Sequence, residues 1–320
     1  MQLPSKIGIA FFGGTQLSTE LLGGGDVNAN YKVTPQGGQP VVVQRLNPIF
    51  SEQTIQDYVI VSALLLKKDW EVPCLVRTIS GQPFYKDESG SLWRAFDFIA
   101  NDPNPTLNAS YMQHVGTLLA KLHQTLSELD YTPTFALEHF HETPFYAQKL
   151  EKLLKSGELQ PEPQTLAERV LETYQQLPPL PERALQLIHG DPRIANILSR
   201  EGKPFTFIDF DTLMLGTIWL DLGDLLRSTM ESNLEKPEAT QLVQAVVDGY
   251  YAAVAMGEEP QAFALQCSNA AKRIALELAM RFLIDTAEDS YFAWDSTKFA
   301  SRPSYTLFRA QEQWRVYERL

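Results

Sequence analysis

Residues 187–227 read LIHGDPRIANILSREGKPFTFIDFDTLMLGTIWLDLGDLLR. His189-Gly190-Asp191 opens the stretch, Asn196 follows, and the apolar run Phe205 to Ile208 delivers Asp209. Leu187-Ile188 and Phe205-Thr206-Phe207-Ile208 have the β-branched and aromatic character of two short strands. Gly190 and Pro192 break regular structure around Asp191 and make it a loop residue. A turn at Glu201-Gly202-Lys203-Pro204 would fold the chain back, so that Asn196 and Asp209 converge on one cation from opposite sides of a hairpin-like unit. An acid, an amide and a second acid at these intervals suit phosphoryl transfer. There a base meets a hydroxyl, and two oxygen ligands hold Mg²⁺ against phosphates. In that reading Asp191 orients the hydroxyl and accepts its proton, and Asn196 and Asp209 bind metal. Arg193, two residues after Asp191, offers a forked cation to the transferred group. His189 braces the loop and is neither acid nor base.

Composition sets the outer bounds. A chain of 320 residues, 44% hydrophobic and 21% charged, can bury a sizeable core and divide into two lobes. The net charge of −12 argues against nucleic acid as a partner; it would suit a cationic substrate, although most acidic proteins are simply soluble. Two cysteines, Cys74 and Cys267, form no CxxC pattern, which fits a reducing cytoplasm and no structural zinc. The apolar stretch Ile7 to Phe12 is too short for a membrane span and lacks the layout of a signal peptide, so no membrane association and a cytoplasmic location are expected.

The pattern H-G-D-x-x-x-x-N, then hydrophobics, then D-x-D, resembles the catalytic core of the aminoglycoside phosphotransferase/choline kinase superfamily, distant relatives of protein kinases. Within it, HGDPRIAN followed by IDFDTLMLG and DLGDLLRS is more similar to N-acetylhexosamine 1-kinases than to the aminoglycoside enzymes. The resemblance implies an α+β, protein-kinase-like fold with a small antiparallel-sheet N-lobe and a larger, mainly helical C-lobe. It also implies ATP and Mg²⁺ as cofactors. Asp221 matches a buried Asp that ties down the catalytic loop in the superfamily. Asp211 stands where protein kinases carry the Gly of Asp-Phe-Gly, and is a candidate further metal or substrate ligand. Arg281, with Asp285 and Tyr291-Phe292, resembles a C-terminal segment that helps bind sugar, with a structural ion pair as the alternative. Pro192 replaces a usual Thr, and Leu215 a common Pro. Neither change removes a chemical group, so they bear on substrate identity and not on reaction class.

The first lobe is expected over residues 1–103. Leu21 to Val33 reads as strand, glycine turn, strand; Gly23 and Gly25 would let backbone N–H groups approach a phosphate. The resemblance adds Asn28 and Tyr31 to that loop. Val41 to Leu46 is a strand in which kinases place a Lys against the α/β-phosphates. No Lys is present there. Arg45 is the available cation, supported by relatives with an Arg at this point, but Gln44 and Arg45 face opposite ways along a strand. Residues 51–67 carry a helical period, with Asp57 and Glu52 as candidate acidic partners for Arg45. Residues 72–79 and 92–99 read as strands. The polar stretch Asn101-Asp102-Pro103-Asn104-Pro105 marks the boundary. By resemblance it is the kinase hinge, where backbone groups of Phe96 to Phe98 would meet adenine.

The second lobe is expected over residues 104–320. Residues 110–129 form an amphipathic helix bearing His114 and His123, whose separation is not a metal-ligand spacing; His123 is read as a packed helix-end residue. His139 and His141 lie in a polar connection and carry little signal. Two helical patches over 142–183 are split by Gly157 and Pro161/Pro163, and helices dominate after Arg227, near 239–256 and 260–287. The expected function is transfer of the ATP γ-phosphoryl group to a sugar hydroxyl, extending by resemblance to the anomeric hydroxyl of an N-acetylhexosamine. The alternatives are a kinase of an aminoglycoside or amino alcohol such as choline or homoserine, and a non-catalytic nucleotide-binding module. The missing strand Lys supports the last of these, and the intact Asp191, Asn196 and Asp209 oppose it.

Overall fold

The computed structural model of the chain describes residues 3–14, 16–22, 28–254, 257 and 259–320. A short helix, α1 (Ser5–Phe12), precedes strands β1 (Leu17–Leu22), β2 (Ala29–Pro35) and β3 (Val41–Arg45). Helix α2 (Glu52–Leu66) follows, then β4 (Leu75–Val76), β5 (Tyr85–Lys86) and β6 (Leu92–Asp97). The strands form one antiparallel sheet in the order β1-β2-β3-β6-β4, with β5 on β6. Alternation decides its faces. Val41 and Val43 of β3 turn one way and pack with Ile7 and Phe11 of α1, Tyr31 and Val33 of β2, and Trp93 and Ala95 of β6. Val42 and Gln44 turn the other way, toward the rest of the molecule. The apolar stretch Ile7 to Phe12 is thus a helix that closes the outer face of the sheet. The strand expected over 72–79 is cut to two residues, because Pro73 precedes it and Thr78–Gln82 close a turn.

The remainder is mostly helical. Asn108 caps α3 (Ala109–Ser127) by accepting the Tyr111 N–H at 2.9 Å. Helices α4 (Thr143–Ser156) and α5 (Pro161–Gln176) are separated by Gly157, in the left-handed conformation at φ 72°, and by the proline that starts α5. Strand β7 (Gln186–Ile188) leads to a 3₁₀ turn at Ile194–Asn196 and to the hairpin of β8 (Ile197–Arg200) and β9 (Lys203–Phe207). That hairpin turns on Glu201 and Gly202 alone, both at positive φ, so Lys203 and Pro204 already belong to β9. A second 3₁₀ turn at Phe210–Thr212 precedes β10 (Met214–Gly216), which pairs antiparallel with β7. Helices α6 (Ile218–Ser232), α7 (Ala239–Ala253), α8 (Pro260–Glu288) and α9 (Arg302–Arg319) complete the chain. The main core joins α3, α6, α7 and the start of α8 around Leu119, Leu222, Leu226 and Val246, all fully buried. No described helix is long and apolar enough to cross a membrane.

Candidate active site

The catalytic-loop candidates are held by one buried carboxylate. Asp221, in the first turn of α6, accepts the backbone N–H of His189 at 2.9 Å and of Gly190 at 2.8 Å. Its Oδ2 also accepts Nε2–H of His123 at 2.9 Å, and the Tyr250 hydroxyl lies 2.8 Å from the other ring nitrogen. Burial would raise the Asp221 pKa, but His123 and the Gly190 N–H hold it below the usual carboxylate range. His189 is fully buried; its Nε2–H donates to the Ile208 carbonyl at 3.0 Å, and its Nδ1 accepts the Asp191 N–H at 3.2 Å. Those two contacts set a neutral tautomer, and burial lowers the ring pKa accordingly. The ring therefore ties the loop to the end of β9.

Gly190 has a chain-geometric reason. Its φ is +86°, and a Cβ placed there would stand 2.2 Å from the Thr212 carbonyl oxygen. The loop and the turn before β10 can only approach this closely without a side chain. The pocket wall behind them is supplied by His141, whose Nε2–H donates to the Gly190 carbonyl at 2.7 Å. His141 is buried beside Glu277, 3.6 Å from Nδ1, too long for a hydrogen bond but close for an ion pair. Burial lowers its pKa, and the Glu277 carboxylate more than offsets this, pushing it up to about 9. The sequence carried no sign that His141 braces the loop, since residue 141 and residue 190 meet only through the fold.

Two cavities flank this loop. One of about 270 Å³ lies under the sheet and is lined by Asn28, Gln44, Arg94, Phe96, Asn196 and Asp209 among others. The second, of about 170 Å³, lies on the C-lobe side and contains Asp191 and Arg281. Arg193 borders both. Asn196 donates Nδ2–H to the Asp191 backbone carbonyl at 2.9 Å and to its carboxylate at 3.3 Å; the Arg193 guanidinium lies 3.4 Å from that carboxylate. Burial and the nearby Asp224 and Asp209 charges raise the Asp191 pKa, while Arg193 opposes them. Asp209 sits in the left-handed region at φ 67°, ψ 60°, a strained conformation for a residue with a side chain and one found at functional sites. Burial first, then the charge of Asp211, raises its pKa.

Asn196 directs its amide N–H toward Asp191, leaving an oxygen for a ligand, and the Asp209 carboxylate has no hydrogen-bond donor among the described residues. One carboxylate and one amide oxygen fit a hard cation. No group of three or more acidic, His or Cys ligands exists among the described residues, so such an ion would need phosphate oxygens to complete its shell.

The structure turns the cation expected in the first lobe, Arg45, away from the cavity. Arg45 is exposed and donates to Ser91 Oγ at 2.8 and 3.2 Å, on the side of the sheet away from the cavity. Its neighbour Gln44 faces inward and pairs in register with Arg94 on β6. Arg94 is 1% exposed; its Nε donates to Gln44 Oε1 at 2.8 Å, and its two terminal nitrogens donate to the Asp211 carboxylate at 2.6 and 2.7 Å. Asn28 Nδ2 adds a bond to Asp211 at 3.1 Å. Asp211, expected as a further metal or substrate ligand, instead borders neither cavity and accepts from Arg94 and Asn28. Asp57 is no partner of Arg45 either. It accepts from the Tyr131 hydroxyl at 2.6 Å and from Thr134 and Phe135, fastening α2 to the segment after α3. Glu52 pairs with Lys86 at 3.3 Å. Arg94 had one visible signal, an arginine inside the apolar strand LWRAFDF.

Phe96 and Phe98 both line the larger cavity. The N–H groups of Asp97 and Phe98 donate to the Cys74 and Pro40 carbonyls, at 3.0 and 3.2 Å, so these two amides are not open to a base. Gly23 and Gly25 lie outside the described residues. Arg281 lines the smaller cavity, as detailed below.

Residues 18–257 match the phosphotransferase enzyme family, APH. Among solved structures, the chain is similar to an amicoumacin kinase bound to AMP-PNP and Ca²⁺, at 15% identity and a TM-score of 0.67, covering 98% of this chain and 92% of that one. It is similar to a microcompartment-associated aminopropanol kinase, at 20% identity and 0.64, covering 94% and 91%. It is also similar to the GDP complex of an aminoglycoside 2'-phosphotransferase-IIIa, at 15% and 0.64, covering 98% of each. At these identities the likeness establishes the fold, a protein-kinase-like one with a sheet-built N-lobe and a mainly helical C-lobe.

Proposed function

The chain belongs to the phosphotransferase enzyme family, and we propose that it transfers the γ-phosphoryl group of ATP to a hydroxyl of a small sugar-like acceptor. The observation that carries the proposal is the pair of cavities meeting at Arg193, with the metal-ligand candidates in one and Asp191 in the other. Nucleotide occupies the larger cavity, its base against Phe96 and Phe98 and its phosphates toward Arg94, Asn196 and Asp209. When bound, Mg²⁺ neutralises phosphate charge there. Asp191 orients the acceptor hydroxyl and takes its proton as the oxygen attacks the γ-phosphorus. Arg193 offers its fork to the equatorial oxygens of the transferred group, where charge is spread. Asp224 borders the acceptor cavity, and its Oδ2 is buried without a donor among the described residues, an acceptor suited to a second hydroxyl. A polyhydroxylated ring meets both needs, and the anomeric hydroxyl of an N-acetylhexosamine is one candidate.

A second reading is an amine-bearing acceptor. The net charge of −12 favours it, as do the aminopropanol and aminoglycoside names of similar structures. The size of the acceptor cavity, about 170 Å³ against the ~300–1,000 Å³ of drug-sized sites, weighs against a multi-ring aminoglycoside. The test is ADP release with Mg-ATP across N-acetylhexosamines, plain hexoses, choline, homoserine and kanamycin. Asp191→Asn should lower kcat by roughly 100- to 10,000-fold with ATP binding retained. An unchanged kcat would remove Asp191 from the proton transfer.

A further inference from the structure

We infer that the acceptor carries a carboxylate, received by the guanidinium of Arg281, so that this enzyme phosphorylates a hydroxylated acid. The inference rests on the reading of the smaller cavity as the acceptor site.

Every carboxylate bordering that cavity already has a cation or donor. Asp224 Oδ1 accepts Nε and Nη2 of Arg227 at 2.9 and 2.8 Å. Glu231 accepts the other end of Arg227, and Arg309 and Gln313 at 2.8 Å each. Glu277 accepts the Thr143 hydroxyl at 2.6 Å and faces His141, and Asp191 faces Arg193. An acceptor ammonium would compete with these internal partners except at Asp224 Oδ2, which lacks a donor among the described residues. Arg281 is different. No described carboxylate lies within 4.0 Å of it, and its one hydrogen bond runs from Nη2 to the Tyr291 hydroxyl at 3.1 Å. Its guanidinium lies over the rings of Phe140, Tyr146, Tyr291 and Phe292, at 5.4 to 5.8 Å from their centroids.

That arrangement holds the cation without a direct carboxylate contact among the described residues. Aromatic faces attract the flat cation, while its edge N–H groups remain in the plane. Of five such donors, only one is assigned to Tyr291. The half-buried guanidinium keeps N–H donors without a protein partner among the described residues, and a ligand carboxylate matches their fork geometry. Burial also fails to lower this guanidinium: the Tyr291, Tyr146 and Glu277 oxygens hold its pKa up. His141, pushed up to about 9, is charged at neutral pH, so among the described residues the cavity is lined by five cations (His141, Arg193, Arg227, Arg281, Arg309) and four carboxylates (Asp191, Asp224, Glu231, Glu277). The whole-chain charge of −12 is therefore misleading about the acceptor: the local balance around Asp191 favours an anion.

The experiment compares ADP release from Mg-ATP for matched acceptors that share a ring: uronic acids, their parent hexoses, the corresponding amino sugars and N-acetyl sugars. Aldonic and short hydroxy acids extend the acid arm. The acids should exceed their neutral parents in kcat/KM by about 10- to 100-fold, the range of a charge-assisted hydrogen-bond pair. Arg281→Gln should raise KM for the acid by a similar factor and abolish the preference, with a smaller change for the neutral parent. Arg281→Lys, which keeps charge and loses the fork, should recover part of it. Thermal unfolding of both variants identifies a folding failure, and the acid-to-neutral ratio of the wild type tests the inference independently of them. Preference for a neutral or amino sugar overturns the inference and leaves the kinase reading intact. A wild-type acid preference that survives Arg281→Gln overturns the role of Arg281. Silence of every hydroxylated compound sinks the kinase reading as well.

Discussion

Replacing Arg94 by methionine would leave Asp211 with a buried charge and a single remaining donor, Asn28. The pair is nearly sealed from water, each side chain about 2% exposed, and its two hydrogen bonds of 2.6 and 2.7 Å are bidentate. At charge separations of about 4 Å and an effective dielectric of about 20, the attraction is roughly 4 kcal/mol. Removing one member of such a pair typically destabilises by about 3–5 kcal/mol, because the survivor stays buried and unpaired. The expected result is therefore a loss of about 3–5 kcal/mol for Arg94→Met in urea unfolding, together with a rise of at least tenfold in KM for ATP. Asp211→Leu should be similarly damaging to stability. The double variant should fall well short of the sum, because neither charge is left behind. Arg45→Ala is the control, and its KM for ATP should stay near wild type, since Arg45 bonds only to Ser91 on the outer face. Additive losses in the double variant, or an ATP KM sensitive to Arg45 and indifferent to Arg94, would refute the assignment of the phosphate-side cation.

Gly190→Ala should destabilise by about 3 kcal/mol or more and lower kcat, because its φ of +86° is unfavourable for alanine and the new Cβ would meet the Thr212 carbonyl at 2.2 Å. Urea unfolding checks the first effect and steady-state turnover the second; a wild-type profile would mean that the loop can relax. His141 gives a pH signature. Its folded pKa, about 9, lies above the ordinary 6.5, so the stability linked to its proton is complete below about pH 6.5 and lost as pH rises through about 9. The span corresponds to at most about 3 kcal/mol. Wild type should lose more stability than His141→Gln over that interval, and equal slopes would show that the ring is not held protonated by Glu277.

The geometry of the catalytic stretch was legible where its residues are near in sequence. Asp191, Asn196 and Asp209 lie within one β7–hairpin–turn unit, and residue spacing plus Gly190 and Pro192 is enough to predict that they converge. The strand expected at 41–46 and the helices expected at 51–67 and 110–129 also stand close to β3, α2 and α3, since side-chain periodicity is a local property. Arg45 failed for a related reason. Alternation says that residues 44 and 45 face opposite ways but not which face looks inward; that depends on where α1 packs.

The sequence by itself placed Asp191, Asn196 and Asp209 in one strand–loop–hairpin unit through short-range spacing, and its resemblance to a kinase family implied the two-lobe α+β architecture and phosphoryl transfer. Only the tertiary structure decided which way Gln44 and Arg45 face, which groups Asp211 pairs with, and how His123 and His141 brace the loop. Arg94, Asp211, Asn28 and Gln44 come from four separate segments, and His141 meets Gly190 across 49 residues. Such partners are chosen by strand order and helix packing, and a desolvated charge can be balanced only by whatever group the fold brings within hydrogen-bond reach.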